Sequence, residues 1–174
     1  MEQNELIEKA PVKNSALSYG VILGLVSIIL SVAFYLLDLT DQNMIGGLIG
    51  VAALVVIIAL GISHYKKANG GQLSLSDGLK VGMLIAVIGG ILAGLYQILF
   101  LTVIEPDFMA QAMEKQRETM INRNPEMTDE QIEQAIEMSK KFSSPGIIFA
   151  FGLAWNLFLG FITSLISSLI MKNK

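Results

Sequence analysis

The chain has 174 residues, of which 53% are hydrophobic and 16% charged, and its mean hydropathy is +0.60. This composition is too apolar for an ordinary soluble domain, so the membrane class is the first hypothesis. A net charge of −3 leaves no basic face for replacing phosphate counterions, which argues against a nucleic-acid partner, and the absence of cysteine excludes disulfides and thiolate metal sites.

Four uncharged apolar stretches divide the chain, and each is long enough to cross a bilayer as a helix. We therefore predict an all-α, polytopic membrane protein with four transmembrane helices in a single membrane domain. The predicted segments are a tail at 1–14, spans at 15–37 and 43–63, a basic connector at 64–80, a span at 81–104, a helical hairpin outside the membrane at 105–145, a span at 146–171 and a tail at 172–174.

Small residues recur at helical spacing in the first two spans. Such residues let the backbones of two helices approach closely, so they mark faces for helix packing or self-association. The predicted faces are Gly20, Gly24, Ser27 and Ser31 in the first span, and Gly46, Gly50 and Ala53 in the second.

The connector between the second and third spans contains turn and cap signals. The run Asn69-Gly70-Gly71 tolerates positive φ and predicts a turn. Ser74, followed three residues later by Asp77, is typical of a helix N-cap and predicts that the third helix starts just before the membrane.

Lysines near the membrane predict the orientation of the chain. Four spans place both termini and the connector on one side, where Lys66, Lys67 and Lys80 lie, whereas the turn after the first span has no basic residue. The positive-inside rule then predicts cytoplasmic termini and an external hairpin. Lys140 and Lys141, next to the fourth span, argue in the opposite direction.

The third and fourth spans carry the polar and small residues that lie deepest in the predicted membrane. Helix packing explains such residues, and lining a passive path in an oligomer is the alternative. The candidate residues are Gly90, Gly94 and Gln97 in the third span, and Trp155, Asn156 and Gly160 in the fourth, which continues with Thr163, Ser164, Ser167 and Ser168. We expect Trp155 inside the bundle or at a protein contact.

The charged segment between the last two spans predicts two amphipathic helices. The first starts at Pro106 and runs to about Asn122, and the second opens with a capping box formed by Thr128 and Gln131. Helices of this length must pack on something, so we expect a hairpin. Its candidate interaction surface consists of Met109, Met113, Met120, Ile132, Ile136 and Phe142.

Two stretches give the chain a specific resemblance. The connector KKANGGQLSLSDGLKVG and the hairpin sequences PDFMAQAMEKQRETM and MTDEQIEQAIEMSKKFSSP resemble a family of small bacterial integral membrane proteins known as domain of unknown function 4199. This resemblance implies a multi-pass protein of the bacterial inner membrane. It implies no activity, ligand or catalytic residue.

The sequence contains no pattern typical of an enzyme. It has one histidine, no cysteine and none of the common catalytic or phosphate-binding motifs, so we expect no catalytic, cofactor-binding or metal site. The spans contain no ionisable residue for coupled transport. We predict a small membrane scaffold that uses the hairpin to contact lipids, a protein partner or a second copy; the alternative is a passive channel or a transport accessory subunit acting as an oligomer.

Overall fold

The computed structural model describes residues 10–37, 39 and 43–173, except for the side chain of residue 43. The tail up to Lys9, the turn around Asp38 and Asp41, and the final Lys174 lie outside the described residues. Within the described part of the chain every regular element is helical. The predicted all-α class is therefore confirmed.

The described part of the chain forms six α-helices. They are α1 (Val12–Leu36), α2 (Asn43–Ala68), α3 (Leu75–Leu99), α4 (Phe108–Arg123), α5 (Asp129–Phe142) and α6 (Pro145–Met171), and α3 continues into a π-helical turn at Phe100–Ile104. By length and composition, α1, α2, α3 with its π turn, and α6 can each cross a membrane. The protein is thus a multi-pass integral membrane protein.

Much of the predicted connector 64–80 is helical. Helix α2 continues past residue 63 to Ala68, and α3 starts at Leu75, so only residues 69–74 are non-helical. Lys66 and Lys67 occupy the last turn of α2, where positive charge interacts favourably with the helix dipole. Hydrophobicity marks where the apolar span ends, and the helix itself extends beyond that point.

The described residues form two compact units, each considered separately below. The first covers the described residues of Met1–Ala93 together with Leu153–Lys174, and the second is Gly94–Gly152. In the first unit, α3 is the central helix, because its residues contact α1, α2 and α6. The fully buried core side chains include Leu23 of α1, Ile58, Ile62 and Tyr65 of α2, and Val81 and Ile85 of α3.

The small face predicted on α1 packs against α3. A Cβ added at Gly20 would lie 2.7 Å from Ile88 Cβ, and one at Gly24 would lie 2.7 Å from Leu92 Cβ. Both contacts advance by four residues in the same direction, so α1 and α3 run parallel. Glycine is required at these two positions because any larger residue would push the helices apart.

The small face predicted on α2 has no equivalent contact with the described residues. A Cβ at Gly50 would meet no atom within 4 Å, and one at Gly46 would meet only the Phe34 ring, at 3.6 Å. The close approach of α2 occurs instead at Gly61, which lies against Ile85 of α3 and Tyr19 of α1. The predicted face of α2 is therefore not used for close packing among the described residues, and self-association through it stays a prediction.

Candidate functional site

Helices α3 and α6 are joined by a regular series of close contacts between small residues. The series advances four residues at a time along α3 while it goes back four residues at a time along α6, so the two helices run antiparallel. The successive contacts are Gly78 with Ser168, Gly82 with Ser164, Ala86 with Gly160, and Gly90 with Asn156. Of the predicted packing residues, the structure thus brings together Gly90, Asn156 and Gly160.

The serines in this series lie in the interior of the first unit. Ser164 and Ser168 are fully buried, and the Ser164 hydroxyl donates to the backbone oxygen of Gly160. Ser168 Oγ has no hydrogen-bond partner within the described residues, but it lies where a Cβ of Gly78 would be. The Cα–H bond of that glycine therefore points at the oxygen, an arrangement that gives a weak Cα–H···O interaction.

The two candidate amides of the third and fourth spans, Gln97 and Asn156, occupy different environments. Asn156 Oδ1 is buried without a hydrogen-bond partner in the described part of the chain, and its Nδ2 would lie 2.8 Å from a Cβ at Gly90. In the second unit, Gln97 is half-buried, and its side chain makes no hydrogen bond to a described group. Gly94, one turn before it, lies against the Phe149 ring.

The connector is hydrogen-bonded to the start of the described chain. The Ala10 amide donates to Asn69 Oδ1 at 3.0 Å, while Asn69 Nδ2 donates to the backbone oxygen of Gln72 at 2.8 Å. Gly70 and Gly71 follow with φ of 63° and 79°, a left-handed backbone conformation that favours glycine. The predicted turn is therefore present, and its asparagine orders both the turn and the segment before α1.

The same connector holds the C-terminal end. Lys66 Nζ donates to the backbone oxygen of Met171 at 2.7 Å, which satisfies a carbonyl at the end of α6. Leu73 and Asn173 are joined by two hydrogen bonds of 3.1 Å, one from the Leu73 amide to Asn173 Oδ1 and one from the Asn173 amide to the Leu73 backbone oxygen. The connector and both ends of the described chain therefore form one polar cluster.

The second unit contains the hairpin of α4 and α5. At the start of α5, Thr128 Oγ1 accepts from the Gln131 amide at 3.3 Å, and Gln131 Oε1 accepts from the Thr128 amide at 3.0 Å. This is the predicted capping box, which satisfies two amides that a helix start leaves unpaired. Before α4, Phe108 packs edge-on against Phe100 of the π turn, with ring centroids 5.4 Å apart.

Ile132 and Ile136 form the interior of the hairpin. They are 3% and 5% exposed, and beside them Gln116 of α4 donates to the Ser139 hydroxyl of α5 at 3.2 Å. The α4 residues of the predicted interaction surface are partly buried: Met109, Met113 and Met120. The isoleucines therefore hold the hairpin together, and only part of the predicted surface is open to another molecule.

An open groove of about 570 Å³ runs along the hairpin. Its lining combines flexible apolar side chains with neutral polar ones. The lining residues are Met120, Met127, Gln131, Gln134, Ala135, Met138 and Ser139. Met138 is 59% exposed, so the groove presents thioether surface to its surroundings. Methionine side chains adapt to irregular partners, which makes this groove the candidate functional site.

One comparison with known proteins is decisive. The family described as "Protein of unknown function (DUF4199)" matches residues 18–173, which is most of the chain. The chain belongs to this family. No curated protein and no solved structure matches it.

Two aromatic residues of this DUF4199 protein are largely exposed. Trp155 is 61% exposed on α6, with its ring 5.8 Å from that of Phe158, so of its two expected places the protein contact stays a prediction and the bundle interior does not apply. Phe142, predicted on the same stripe as the two buried isoleucines, is 57% exposed. It is the last residue of α5, where no further turn of the helix can cover it.

Several residues that organise the DUF4199 chain were not predicted. Gly78 and Gly82 continue the spacing of Ala86 and Gly90 toward the connector, and that four-residue spacing is the signal that identifies them. Met127 and Met138 line the groove although they lie outside the predicted stripes. Among the described residues, no group of three or more His, Asp or Glu side chains is placed to hold a metal ion.

Proposed function

We propose that this protein is a membrane-embedded interaction protein, in which four spans carry a hairpin that binds a partner protein without catalysing a reaction. The observation that carries this proposal is the open, methionine-lined groove along α4 and α5. Met138 is 59% exposed, and the partly buried Met120 and Met127 line the same groove, so the three thioethers offer apolar surface to a partner. Exposed apolar surface on a polar segment is typical of a binding site.

The internal order of the hairpin supports this role. A capping box closes the start of α5, and Ile132 and Ile136 are buried between the helices. A groove built on ordered helices presents its residues in a fixed arrangement. The hairpin therefore loses less conformational entropy when a partner binds. The groove is therefore better suited to recognition than a disordered loop of the same composition.

The passive-channel alternative draws no comparable support from the spans. Its proposed lining included the serines of α6, but Ser164 and Ser168 are fully buried against glycines of α3. Close helix packing accounts for their small size and for their position. Asn156 Oδ1 is unpaired among the described residues, but this oxygen is buried, and the side-chain amide lies next to Gly90.

For its location, we propose the inner membrane of a bacterium with both termini in the cytoplasm. The lysines of the connector and the end of α2 support this orientation, since basic residues near a span favour the cytoplasmic side. In this arrangement the hairpin lies outside the cytoplasm, and its partner is an external or membrane protein. Membrane lipids surround the apolar faces of the spans.

The proposal is tested by removing the hairpin and identifying what the protein then fails to bind. Residues 107–141 are replaced by a short Gly-Ser linker, and proteins cross-linked to the full-length and shortened chains in intact membranes are compared. We expect a specific partner to be lost on shortening. Since shortening can disturb the spans, full-length Met138→Asn serves as a second variant, and Glu118→Asn on exposed α4 serves as its control.

An unchanged set of partners in both the shortened chain and Met138→Asn would contradict the proposal. Loss of the same partner in Glu118→Asn would also contradict it, because this residue does not line the groove.

A further inference from the structure

Of three carboxylates on one face of α5, Glu130 and Glu137 lie next to the groove, whereas Glu133 lies about 100° around the helix from Gln134. Glu130, Glu133 and Glu137 are all exposed, and their i, i+3, i+7 spacing places them along one face of the helix. At about 100° per residue, Glu130 and Glu137 lie within about 60° of Gln134, which lines the groove. The apolar groove therefore has an acidic border.

The hairpin as a whole has the same sign of charge. Between residues 105 and 145 there are nine acidic and five basic residues, whereas the whole chain carries a net charge of only −3. Two of the five basic residues, Lys140 and Lys141, lie in the last turn of α5. The first three turns of α5 thus contain four of the nine acidic residues and none of the basic ones, and Gln131 and Gln134 of these turns line the groove.

From this combination we infer that the groove binds a cationic amphipathic helix of a partner protein. The partner's apolar face lies on Met120, Met127 and Met138, and its Lys or Arg residues face the acidic border. This inference rests on the proposed function and gives the chemistry of the partner. Helices with bulky apolar residues at i, i+3, i+4 and i+7 commonly bind to methionine-containing grooves in this way.

The two parts of the site contribute differently. The carboxylates are exposed to solvent, where a single ion pair contributes little to affinity, so most of the binding free energy comes from apolar contact with the methionines. The border's main effects are to select a basic helix over an acidic one and to speed its association. An anionic lipid surface is disfavoured at this border by the same charge.

The test uses the full-length protein in nanodiscs of zwitterionic lipid and three fluorescent peptides. The first has leucines at i, i+3, i+4 and i+7 with lysines elsewhere, the second has glutamates in place of the lysines, and the third is a scrambled form of the first. We expect the first peptide to bind protein-containing nanodiscs at least tenfold more tightly than empty ones. The second and third should show no binding above that of empty nanodiscs.

Matched variants locate the binding site. E130Q/E133Q/E137Q should weaken binding of the lysine peptide about tenfold, since each exposed pair contributes only a fraction of a tenfold change in affinity. Met138→Asn should weaken it by a similar factor through lost apolar contact. The control E114Q/E118Q, on α4, removes two exposed carboxylates that do not border the groove and should leave binding unchanged.

Several outcomes would overturn the inference: equal binding to empty nanodiscs, equal binding of the scrambled or glutamate peptide, or unchanged binding to the triple variant. A dimer in nanodiscs that the triple variant abolishes would assign the groove to a second copy instead. If no peptide binds while a cross-linker at Met138 still captures a partner in intact membranes, the partner chemistry is wrong and the proposed function stands.

Discussion

Gly82 lies so close to Ser164 that no Cβ fits between α3 and α6 at this position. The obstruction includes Ser164 Cβ, 2.6 Å from where the new Cβ would be, and rotation of the hydroxyl cannot relieve it. Gly82 therefore determines how closely the two helices approach. The same spacing recurs at Gly78 and Gly90, so the contact extends over several turns.

Gly82→Ala should destabilise the bundle by about 1–3 kcal/mol, because a methyl group added to a filled contact forces the helices apart. The measurement is the free energy of unfolding in mixed detergent micelles titrated with SDS. The control is Gly50→Ala, where the added Cβ meets no atom within 4 Å. Equal effects of the two substitutions would show that the close contact does not contribute to stability.

Thr128→Ala should destabilise the start of α5 by about 1 kcal/mol, because it removes the side-chain acceptor of the capping box. Amide hydrogen exchange at Gln131, whose N–H donates to Thr128 Oγ1, should become faster. The matched control is Thr119→Ala, since Thr119 Oγ1 donates only to the backbone of its own helix at Lys115. Unchanged exchange at Gln131 would contradict this account of the hairpin.

Lys66→Met should loosen the C-terminal end, because the ammonium group that donates to the Met171 carbonyl is lost. A hydrogen bond of this type contributes about 1 kcal/mol or more, so exchange of the Asn173 amide should become about fivefold faster. Lys67→Met, one residue later and exposed, is the control. Similar exchange in both variants would mean that the lysine contact does not order this end.

Single cysteines should report the orientation, because the chain contains no cysteine of its own. With Glu137→Cys, a membrane-impermeant maleimide should label the hairpin in intact cells. With Gln72→Cys, the connector should become labelled only after the cells are permeabilised. Labelling of the connector alone in intact cells would reverse the proposed orientation.

The structure shows which features have a local signal in the sequence. The capping box Thr128–Gln131 and the Ser74 cap were predictable because both partners lie within one helical turn. Ser74 Oγ accepts from the Asp77 amide at 3.1 Å and donates to the Asp77 carboxylate at 2.7 Å. The four spans were predictable because a bilayer requires long apolar helices.

Other features depend on contacts between distant segments. The hydrogen bonds from Lys66 to Met171 and between Leu73 and Asn173 join groups about a hundred residues apart, and no local pattern marks them. Helix packing likewise depends on the register between two spans. The glycines of α2 show this, because Gly50 and Gly61 have the same side chain, but only Gly61 is close to a neighbouring helix.

The groove could be predicted only in part. The methionines of the hairpin are visible in the sequence, but the face that they form could not be predicted. Met127 lies in the turn between the helices, and Met138 lies away from the buried isoleucines. Only the packing of α4 on α5 decides which of the hairpin's apolar side chains remain open. The sequence therefore indicated the segment, and the structure indicated the residues.

The most direct test of the central claim is photo-cross-linking from two positions of the full-length protein in intact membranes. A photoreactive amino acid is placed either at Met138, in the groove, or at Glu118, on the exposed surface of α4. We predict one discrete adduct from Met138 that is absent from Glu118. The same adducts from both positions, or none from Met138, would contradict the claim that the hairpin groove is a binding site.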